Sequence, residues 1–395
     1  MLGAMQDWDL VVTHLIDHAA REYGQREHVT HWADGSETRT TWAGVRHDAL
    51  RMTQALRAAG VDKGDRIATL AMNHGRHLVT WYGSIGVGGV LHTINPRLFD
   101  EQLEYIVNHA EDRVLLYDAV FQPIVDRMRD RWPTITTYVC FDPPAGSDVL
   151  GFEQWIGAYD GDTAWAEVSE RDPCMLCYTS GTTGNPKGVL YEHRSTMLHA
   201  MAGVQPNLFD LDSRAVMLPI VPMFHAASWG LPWAGAIPGI KFVYSAVNDP
   251  GVLCELFDRE GVTHSAGVPT VWLGMFQHLD SIGKDVRDIG KLETAIIGGS
   301  AAPKFMIERL MNNGVRVAHA WGMTETSPIG TTGAKTWDWD ELPFDDQVSI
   351  KQMQGRVPFG VELRCVSLDD PSKVLPRDGK TSGALQVRGP WVIKR

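Results

Sequence analysis

The sequence lacks the features that mark membrane, secreted and nucleic-acid-binding proteins. It has no run of about 18 apolar residues, so no segment is expected to cross a bilayer as a helix. The N-terminal stretch MLGAMQDWDLVVTHL has no basic start, which excludes a secretory signal and makes the cytoplasm the expected compartment. Lys and Arg are not clustered, and the net charge is −12, so no nucleic-acid partner is expected.

Cysteine is scarce and does not form a disulfide framework. The five cysteines are an odd number spread through 395 residues. Cys174 and Cys177 form a C-x-x-C pair, but no second pair or Cys/His cluster completes a zinc site. The pair lies in PCMLCYT, an apolar run typical of a buried strand. We therefore predict that these thiols have a structural role.

The first part of the chain alternates between strand-like and helix-like runs. Residues 8–60 are predicted to be helices with a polar turn between them. The run DRIATLAMN then predicts a strand, HLVTWYGSIGVGGV a closely packed small-residue helix, and GVLHTINPRL, RVLLYD and YVCFD further strands. Such alternation predicts an α/β fold with right-handed parallel crossovers.

The alternation restarts after the loop PPAGSDVLG. Strands are predicted in CMLCYTS, AVMLPI, IKFVYSA, VTHSAGV, ETAIIGGS and RVAHAWG. A helix is predicted in DPGVLCELFDREG, with Asp249 as N-cap, Pro250 in the first turn and Gly261 past the end. From about Gly355 short strands and turns predict an antiparallel β unit. The expected subdomains are 1–150, 151–350 with the phosphate loop, and 351–395.

The stretch YTSGTTGNPKGV, residues 178–189, is rich in glycine and hydroxyl groups and follows an apolar run. Backbone N–H groups and hydroxyls in such a turn can bind phosphate oxygens, and Lys187 adds a positive charge. The Walker A pattern does not fit, because Gly184 lies three residues before Lys187 and Gly188 stands where Ser or Thr is required. Taken alone, the stretch indicates either a phosphate loop or an ordinary polar turn.

Four ordered motifs together resemble the adenylate-forming superfamily, and its fatty-acyl-CoA synthetase branch in particular. They are YTSGTTGNPKGV, VPMFHAASWG, IIGGSAAP and HAWGMTETSP, and the upstream run HTINPRLFDEQLEYIVNHAEDRVLLYD agrees with them. The resemblance implies two doubly wound sheets in αβαβα layers and a small distorted antiparallel β-barrel. It also implies that residues 1–395 are the large N-terminal domain only, without the mobile C-terminal domain and its adenylation lysine.

The chemistry implied by this resemblance has two half-reactions. A carboxylate attacks the α-phosphate of ATP to give acyl-AMP and pyrophosphate, and a thiol then attacks the activated carbonyl. The expected substrates are a fatty acid, ATP and coenzyme A, with Mg²⁺ as cofactor. The first step needs positioned donors and a metal more than a protein nucleophile. Without its mobile domain, the chain is expected to bind ligands but to turn over weakly or not at all.

The resemblance also assigns roles to individual residues. The residues expected to bind the β- and γ-phosphates are Thr179, Ser180, Gly181, Thr182, Thr183, Gly184 and Lys187. Thr179 and Glu325 are expected near Mg²⁺, and the Thr324 hydroxyl on the α-phosphate. The expected adenine, ribose and acyl-junction residues are Gly298, Gly299, Ser300, Ala301, His319, Ala320, Trp321 and Gly322. Two departures stand out, since Trp321 replaces a common tyrosine and His319-Ala320 replaces a frequent Gln-Gly pair.

His225 and Trp229 are the expected substrate-gating residues. In the family this histidine lies beside the carboxylate, and the tryptophan resembles the gate of a fatty-acyl tunnel. The apolar segment ASWGLPWAGAIPGIKFV suits such a tunnel. The residues expected to be catalytic are thus Thr324, Glu325, His225 and Lys187.

Several alternatives stay open at this stage. The acid is either a medium-to-long fatty acid or a short, branched or thioether-containing one, whereas the aliphatic segment argues against aryl or amino-acid substrates. A non-catalytic acyl-adenylate-binding module is the alternative from a different class of protein, although intact Lys187, Thr324 and Glu325 speak against it. The acceptor thiol is that of coenzyme A or of a carrier protein. A homodimer and peripheral contact with a membrane also stay open.

Overall fold

The structure, a computed structural model that describes residues 3–179 and 184–394, alternates helices and strands along most of the chain. The helices are α1 (Thr13–Glu22), α2 (Trp42–Ala58), α3 (Gly75–Gly86), α4 (Asp100–Ala110), α5 (Gln122–Met128), α6 (Phe152–Gly157), α7 (His193–Gly203), α8 (Leu231–Ala234), α9 (Pro250–Glu260), α10 (Pro269–Ser281), α11 (Lys304–Asn312) and α12 (Phe344–Gln352).

The strands follow the apolar runs of the sequence. They are β1 (Glu27–His31), β2 (Glu37–Thr41), β3 (Arg66–Leu70), β4 (Val90–Thr93), β5 (Asp112–Tyr117), β6 (Thr137–Cys140), β7 (Pro173–Thr179), β8 (Lys187–Glu192), β9 (Val216–Pro219), β10 (Lys241–Ser245), β11 (His264–Gly267), β12 (Thr294–Ile297), β13 (Arg316–Gly322), β14 (Ile329–Thr332), β15 (Glu362–Val366) and β16 (Ala384–Arg388).

Two mixed sheets organise the described residues. The first has the strand order β6-β5-β3-β4-β7-β8, parallel except for the edge strand β8. The second has the order β14-β13-β12-β11-β9-β10-β1-β2, with antiparallel strands β14 and β2 at its edges. The α/β fold with two doubly wound sheets is therefore confirmed.

The helices form three layers around these sheets. Side chains of α4 and α5 cover one face of the first sheet, and those of α9, α10 and α11 cover one face of the second. A shared core with α2, α3, α7 and α8 fills the space between them. The central packing is close, because a Cβ on Gly83 of α3 would lie 2.9 Å from the Met52 side chain of α2. The order of layers is thus αβαβα.

The N-terminal hairpin corrects the helical prediction for residues 8–60. Residues 27–41 form β1 and β2, which the ADGS turn between the runs EHVTHW and ETRTT could have indicated. β1 pairs in parallel with β10, so it belongs to the second sheet. Conversely, β7 pairs with β4 of the first sheet. Sheet membership therefore crosses the expected boundary at 150, because chain order does not show which strand edges pair.

Other local predictions are confirmed by the structure. Asp249 caps α9, its side chain accepting from the Val252 N–H at 3.0 Å, and Gly261 ends that helix with a φ of +64°. Cys174 and Cys177 are buried free thiols in β7. In the C-terminal part, β15 and β16 form an antiparallel pair, and the described residues show no closed barrel. No helix in the described ranges has the length and apolar character needed to span a bilayer.

Candidate active site

The strands on either side of the predicted phosphate loop bring its two ends together. Thr179 at the end of β7 pairs in register with Lys187 at the start of β8. Gly184 has a φ of +85°, which favours glycine, and Lys187 is exposed. The intervening residues of the predicted loop, Ser180, Gly181, Thr182 and Thr183, lie outside the described residues. Their expected role in phosphate binding stays a prediction.

A buried tyrosine ties this hairpin to the HAWGMTETSP motif. The Tyr191 hydroxyl on β8 donates to the backbone carbonyl of Thr324 at 2.7 Å. Thr324 lies in a single 3₁₀ turn, Thr324–Thr326, which also contacts β7. Burial raises the pKa of Tyr191, and the nearby Cys177 and Glu325 raise it further, so the hydroxyl stays a donor. Residues expected at the phosphates and at Mg²⁺ are thus brought together from two distant motifs.

Glu325 is the acidic group at this junction. It is half-buried, and in the ranges that the structure describes its carboxylate makes no hydrogen bond or ion pair. No cluster of three or more His, Cys, Asp or Glu residues in those ranges could enclose a metal ion. Mg²⁺ suits such a place, because it binds one or two carboxylates and takes its other ligands from water and phosphate oxygens. That Glu325 and Thr179 hold Mg²⁺ together with the nucleotide stays a prediction.

A cavity of about 70 Å³ lies beside this junction. It combines residues from three of the four motifs with others that no motif contains. Its lining residues are Phe209, His225, Ala226, Trp229, Ile296, Gly298, Gly299, Ala320, Trp321, Gly322, Met323, Thr324, Pro328 and Ile329. The lining is mostly apolar, with Thr324 and His225 as its polar side chains. Such a cavity suits an apolar group joined to a polar reacting centre.

Two tryptophans shape the cavity by packing on glycines. A Cβ on Gly298 would lie 3.2 Å from the Trp229 indole and 3.3 Å from the Ala320 carbonyl oxygen. A Cβ on Gly330 would lie 2.4 Å from the Trp321 ring. These glycines are therefore required for space rather than for backbone freedom. Buried Trp229 and half-buried Trp321 both line the cavity, and the gating role of Trp229 stays a prediction.

The segment that carries Trp229 has an uncommon backbone. Ala226, Ala227, Ser228 and Trp229 have φ values of +42°, +55°, +47° and +56°, and Gly230 follows at +76°. A left-handed conformation costs a non-glycine residue about 1–2 kcal/mol. All five residues are buried, so the surrounding packing holds them in this conformation.

His225 precedes this turn and lines the cavity. The residue is exposed to solvent as well as being part of the cavity lining. Partial desolvation, together with the charge of Arg97, lowers the pKa of His225. The imidazole is therefore neutral near pH 7.

Some expected site residues do not reach the cavity. His319 is fully buried, its Nδ1 donates to the Lys351 carbonyl oxygen at 3.0 Å, and its Nε2 accepts from the Ala302 N–H at 3.2 Å. Both ring nitrogens are thus used by the backbone, which corrects the expectation that this side chain contacts the nucleotide. Ser300 and Ala301 are exposed and do not line the cavity.

Other residues of the site were not predicted from the sequence. The cavity also contains Phe209, Ile296, Met323, Pro328 and Ile329. Met323 and Pro328 lie inside the HAWGMTETSP motif and could have been included. Phe209 comes from a loop after α7, and nothing local marks it as a cavity residue. Tyr191 was missed because its role depends on a hydrogen bond across 133 positions of the chain.

Comparison with known proteins identifies the family of the chain. The family model described as AMP-binding enzyme matches residues 16–395. The chain belongs to the AMP-binding enzyme family. As a member of this family, it is 44% identical to a 3-methylmercaptopropionyl-CoA ligase from Ruegeria lacuscaerulensis, over 100% of this chain and 74% of that protein. It is 42% identical to a medium-chain-fatty-acid–CoA ligase from Ectopseudomonas oleovorans, over 100% of this chain and 73% of that protein.

The fold of this family member also matches a solved structure. A crystal structure of a long-chain-fatty-acid-CoA ligase from Archaeoglobus fulgidus superposes with a TM-score of 0.84 at 21% identity. The match covers 100% of this chain and 78% of that one. At this identity the similarity establishes the fold alone.

Proposed function

We propose that this protein activates an aliphatic carboxylic acid with ATP and transfers the acyl group to coenzyme A. The observation that carries the proposal is the cavity itself, which joins an apolar lining to Thr324, one residue from Glu325 and beside the hairpin that carries Thr179 and Lys187. An acid with an apolar chain and a nucleotide phosphate fit these two neighbouring environments. The names of the relatives at 44% and 42% identity are consistent with this chemistry.

In the first step a carboxylate oxygen attacks the α-phosphorus of ATP, and the bond to pyrophosphate breaks. Negative charge on the phosphate oxygens must be stabilised as the reacting groups approach. Lys187 supplies an exposed positive charge and the Thr324 hydroxyl a donor beside the cavity. Mg²⁺, when bound at Glu325 and Thr179, would neutralise part of the phosphate charge. The protein thus contributes position and electrostatics rather than a covalent nucleophile.

In the second step the thiol of coenzyme A loses its proton to solvent and attacks the acyl carbonyl, and AMP leaves with the electrons of the bond that breaks. The neutral imidazole of His225 can donate a hydrogen bond near the acyl carbonyl oxygen without adding charge to an apolar cavity. In the first step, a cationic ring at this place would instead bind the free carboxylate strongly and oppose its attack on ATP.

Two classes of acid fit the proposal, and they make different demands on the cavity. Medium-to-long fatty acids need Trp229 to move, because its indole lies against Gly298 across the cavity. A short or thioether-containing acid needs less space and does not require the indole to move. Its small volume of about 70 Å³ and the 3-methylmercaptopropionyl-CoA ligase at 44% identity favour this second candidate.

Calorimetric titration with non-hydrolysable acyl-sulfamoyl adenosines tests both candidates. The series carries 3-methylmercaptopropionyl, butanoyl, octanoyl and dodecanoyl groups, with AMP as the control. Each buried CH₂ should add about 0.8 kcal/mol until the cavity is full. A maximum at the thioether or butanoyl compound supports the short acids, and a rise through octanoyl supports the fatty acids. No gain over AMP with any acyl group would contradict the proposed function.

A further inference from the structure

The left-handed turn 226–230 needs contacts that keep it from relaxing. Four of its five residues carry side chains that favour right-handed conformations. At its end, Gly230 lies so close to the His199 ring that a Cβ would be 2.5 Å away. The Ser228 hydroxyl donates to the Val221 carbonyl oxygen at 3.2 Å. The conformation therefore depends on the segment that precedes the turn.

That segment, residues 219–223, is held by an asparagine from the other sheet. Asn73 follows β3 of the first sheet and is 5% exposed. Its Nδ2 donates to the carbonyl oxygens of Pro219 at 2.8 Å and Val221 at 2.9 Å. Its Oδ1 accepts from the Met223 N–H at 2.7 Å. Both amide hydrogens and the amide oxygen are thus used on one short segment.

The three bonds define what residue 73 must be. Only a side chain with two donors and one acceptor on adjacent atoms can satisfy two carbonyls and one N–H at these distances. Aspartate has the same shape, but its second oxygen would face the Pro219 and Val221 carbonyl oxygens without a hydrogen to donate. Val221 also accepts from Ser228, so Asn73 and the turn share one carbonyl. A change at Asn73 is therefore transmitted to the turn.

We propose that Asn73 is a positioning residue that sets acyl-chain selectivity by holding the turn with Trp229 against Gly298. The inference rests on the proposed function, because selectivity requires an acyl ligand in this cavity. When the three bonds are lost, the turn relaxes and the indole leaves Gly298. The cavity then grows longer and loses its contacts with short chains. Asn73 itself is not among the residues that line the cavity.

The test measures the affinity of Asn73→Ala and Asn73→Asp variants for the acyl-sulfamoyl adenosines and for AMP. We expect butanoyl affinity to fall about tenfold, dodecanoyl affinity to fall less or to rise, and AMP affinity to stay unchanged. Asn108→Asp is the matched control, because its Nδ2 also donates to a backbone carbonyl, that of Arg131 at 3.0 Å, away from the cavity. It should leave the ratio of butanoyl to dodecanoyl affinities unchanged.

A double-mutant cycle with Trp229→Ala separates positioning from a general structural effect. If Asn73 acts through the Trp229 indole, substitution of Asn73 should no longer change the ratio of butanoyl to dodecanoyl affinities once the indole is removed. A ratio unchanged in Asn73→Ala, or a change that persists in the Trp229→Ala background, would overturn the inference. Failure of the unmodified protein to bind any acyl compound better than AMP would instead overturn the proposed function.

A second variant covers the case in which changes at Asn73 prevent folding. Ser228→Ala removes only the bond from the Ser228 hydroxyl to the shared Val221 carbonyl. We expect it to fold and to shift the ratio in the same direction by about threefold. Thermal unfolding monitored by circular dichroism identifies the variants that fold. If neither Asn73 variant folds and Ser228→Ala leaves the ratio unchanged, the inference is rejected.

Discussion

At the phosphate end of the site, Thr179 and Lys187 are partly or fully exposed and lie eight positions apart in one hairpin. At the acyl end, Trp229 and Gly298 are buried and come from motifs far apart in the chain. The first region offers charge and hydroxyl groups to a ligand. The second offers an apolar cavity wall of defined shape, which packing between the two sheets maintains.

The two ends of the site therefore depend on different physical effects. Binding at the phosphate end depends on electrostatic attraction to a ligand, and binding at the acyl end depends on packing within the protein. Substitutions at the phosphate end should change the affinity for nucleotide with little effect on folding, because the exposed groups make few contacts within the protein. Substitutions at the acyl end should change acyl affinity and stability together. Tyr191 connects the two regions through its bond to the Thr324 carbonyl.

The largest effect is expected from Glu325→Gln at the phosphate end. Loss of the carboxylate should lower the affinity for ATP in the presence of Mg²⁺ about thirtyfold to a hundredfold, because a charge facing the metal is removed. Calorimetry with and without EDTA measures the metal-dependent part of the ATP affinity. Glu341→Gln, an exposed glutamate in another 3₁₀ turn, is the matched control. Equal loss in both variants, or none in Glu325→Gln, would contradict the assignment.

A smaller effect is expected from Gly298→Ala at the acyl end. The added methyl would lie 3.2 Å from the Trp229 indole, a tight contact that requires the ring to shift and so alters the cavity wall. Affinity for the preferred acyl-sulfamoyl adenosine should fall about tenfold while that for AMP is retained. Gly274→Ala in α10 is the control, since its methyl makes an ordinary contact of 3.4 Å with Pro250. Parallel losses for the acyl compound and AMP would argue against a cavity wall at Gly298.

Tyr191→Phe tests the connection between the two regions. Removal of the hydroxyl leaves the Thr324 carbonyl without this partner, and we expect about a fivefold loss of ATP affinity in the presence of Mg²⁺. Tyr117→Phe serves as the control, because that hydroxyl donates to Gln122 at the same distance of 2.7 Å on another part of the first sheet. If both variants lower the melting temperature but neither lowers ATP affinity, Tyr191 has only a structural role.

The smallest effect is expected from Lys351, a buried lysine whose backbone is hydrogen-bonded to His319 near the acyl cavity. Lys351 is 1% exposed, donates to the Gly333 carbonyl, and offers its own carbonyl to His319. Burial lowers the pKa of Lys351 to about 7, with Arg316 and Lys335 adding to the shift. Between this value and its ordinary pKa the unfolded chain binds more protons. The stability contributed by this group should therefore rise with pH by about 1 kcal/mol per unit above pH 7.

Denaturant unfolding at pH 7, 8 and 9 measures this contribution. Lys351→Met should remove the slope, whereas Lys304→Met, which changes an exposed lysine paired with Glu308, should retain it. If the free energy of unfolding changes with pH by the same amount in all three proteins, Lys351 is charged over the whole range from pH 7 to 9.

Much of the fold could be predicted from local patterns. The strands from Asp65 onward follow apolar runs that end at glycines or polar turns, and α9 begins and ends at the residues expected from its capping pattern. The hairpin β1–β2 was missed, and so was the sheet to which β1 and β7 belong. Periodicity identifies a strand, but pairing depends on which edges remain free after the rest of the chain has folded.

The site shows the same division. Motifs predicted His225, Trp229, Gly298, Trp321 and Thr324, and the cavity contains all of them. The sequence did not show that the His319 ring is turned toward the backbone. Nor did it identify the three hydrogen bonds of the Asn73 side chain, whose partners lie 146 to 150 positions away.

By itself, the sequence determined the alternation of elements, the family and the residue types proposed to meet a nucleotide, because these depend on short-range patterns and ordered motifs. The tertiary structure alone decided which strands share a sheet, which glycines make room for a tryptophan ring, and how a left-handed turn is held in place. Those features depend on contacts between residues far apart in the chain, whose distances and directions are defined only when both sheets have packed against the central helices.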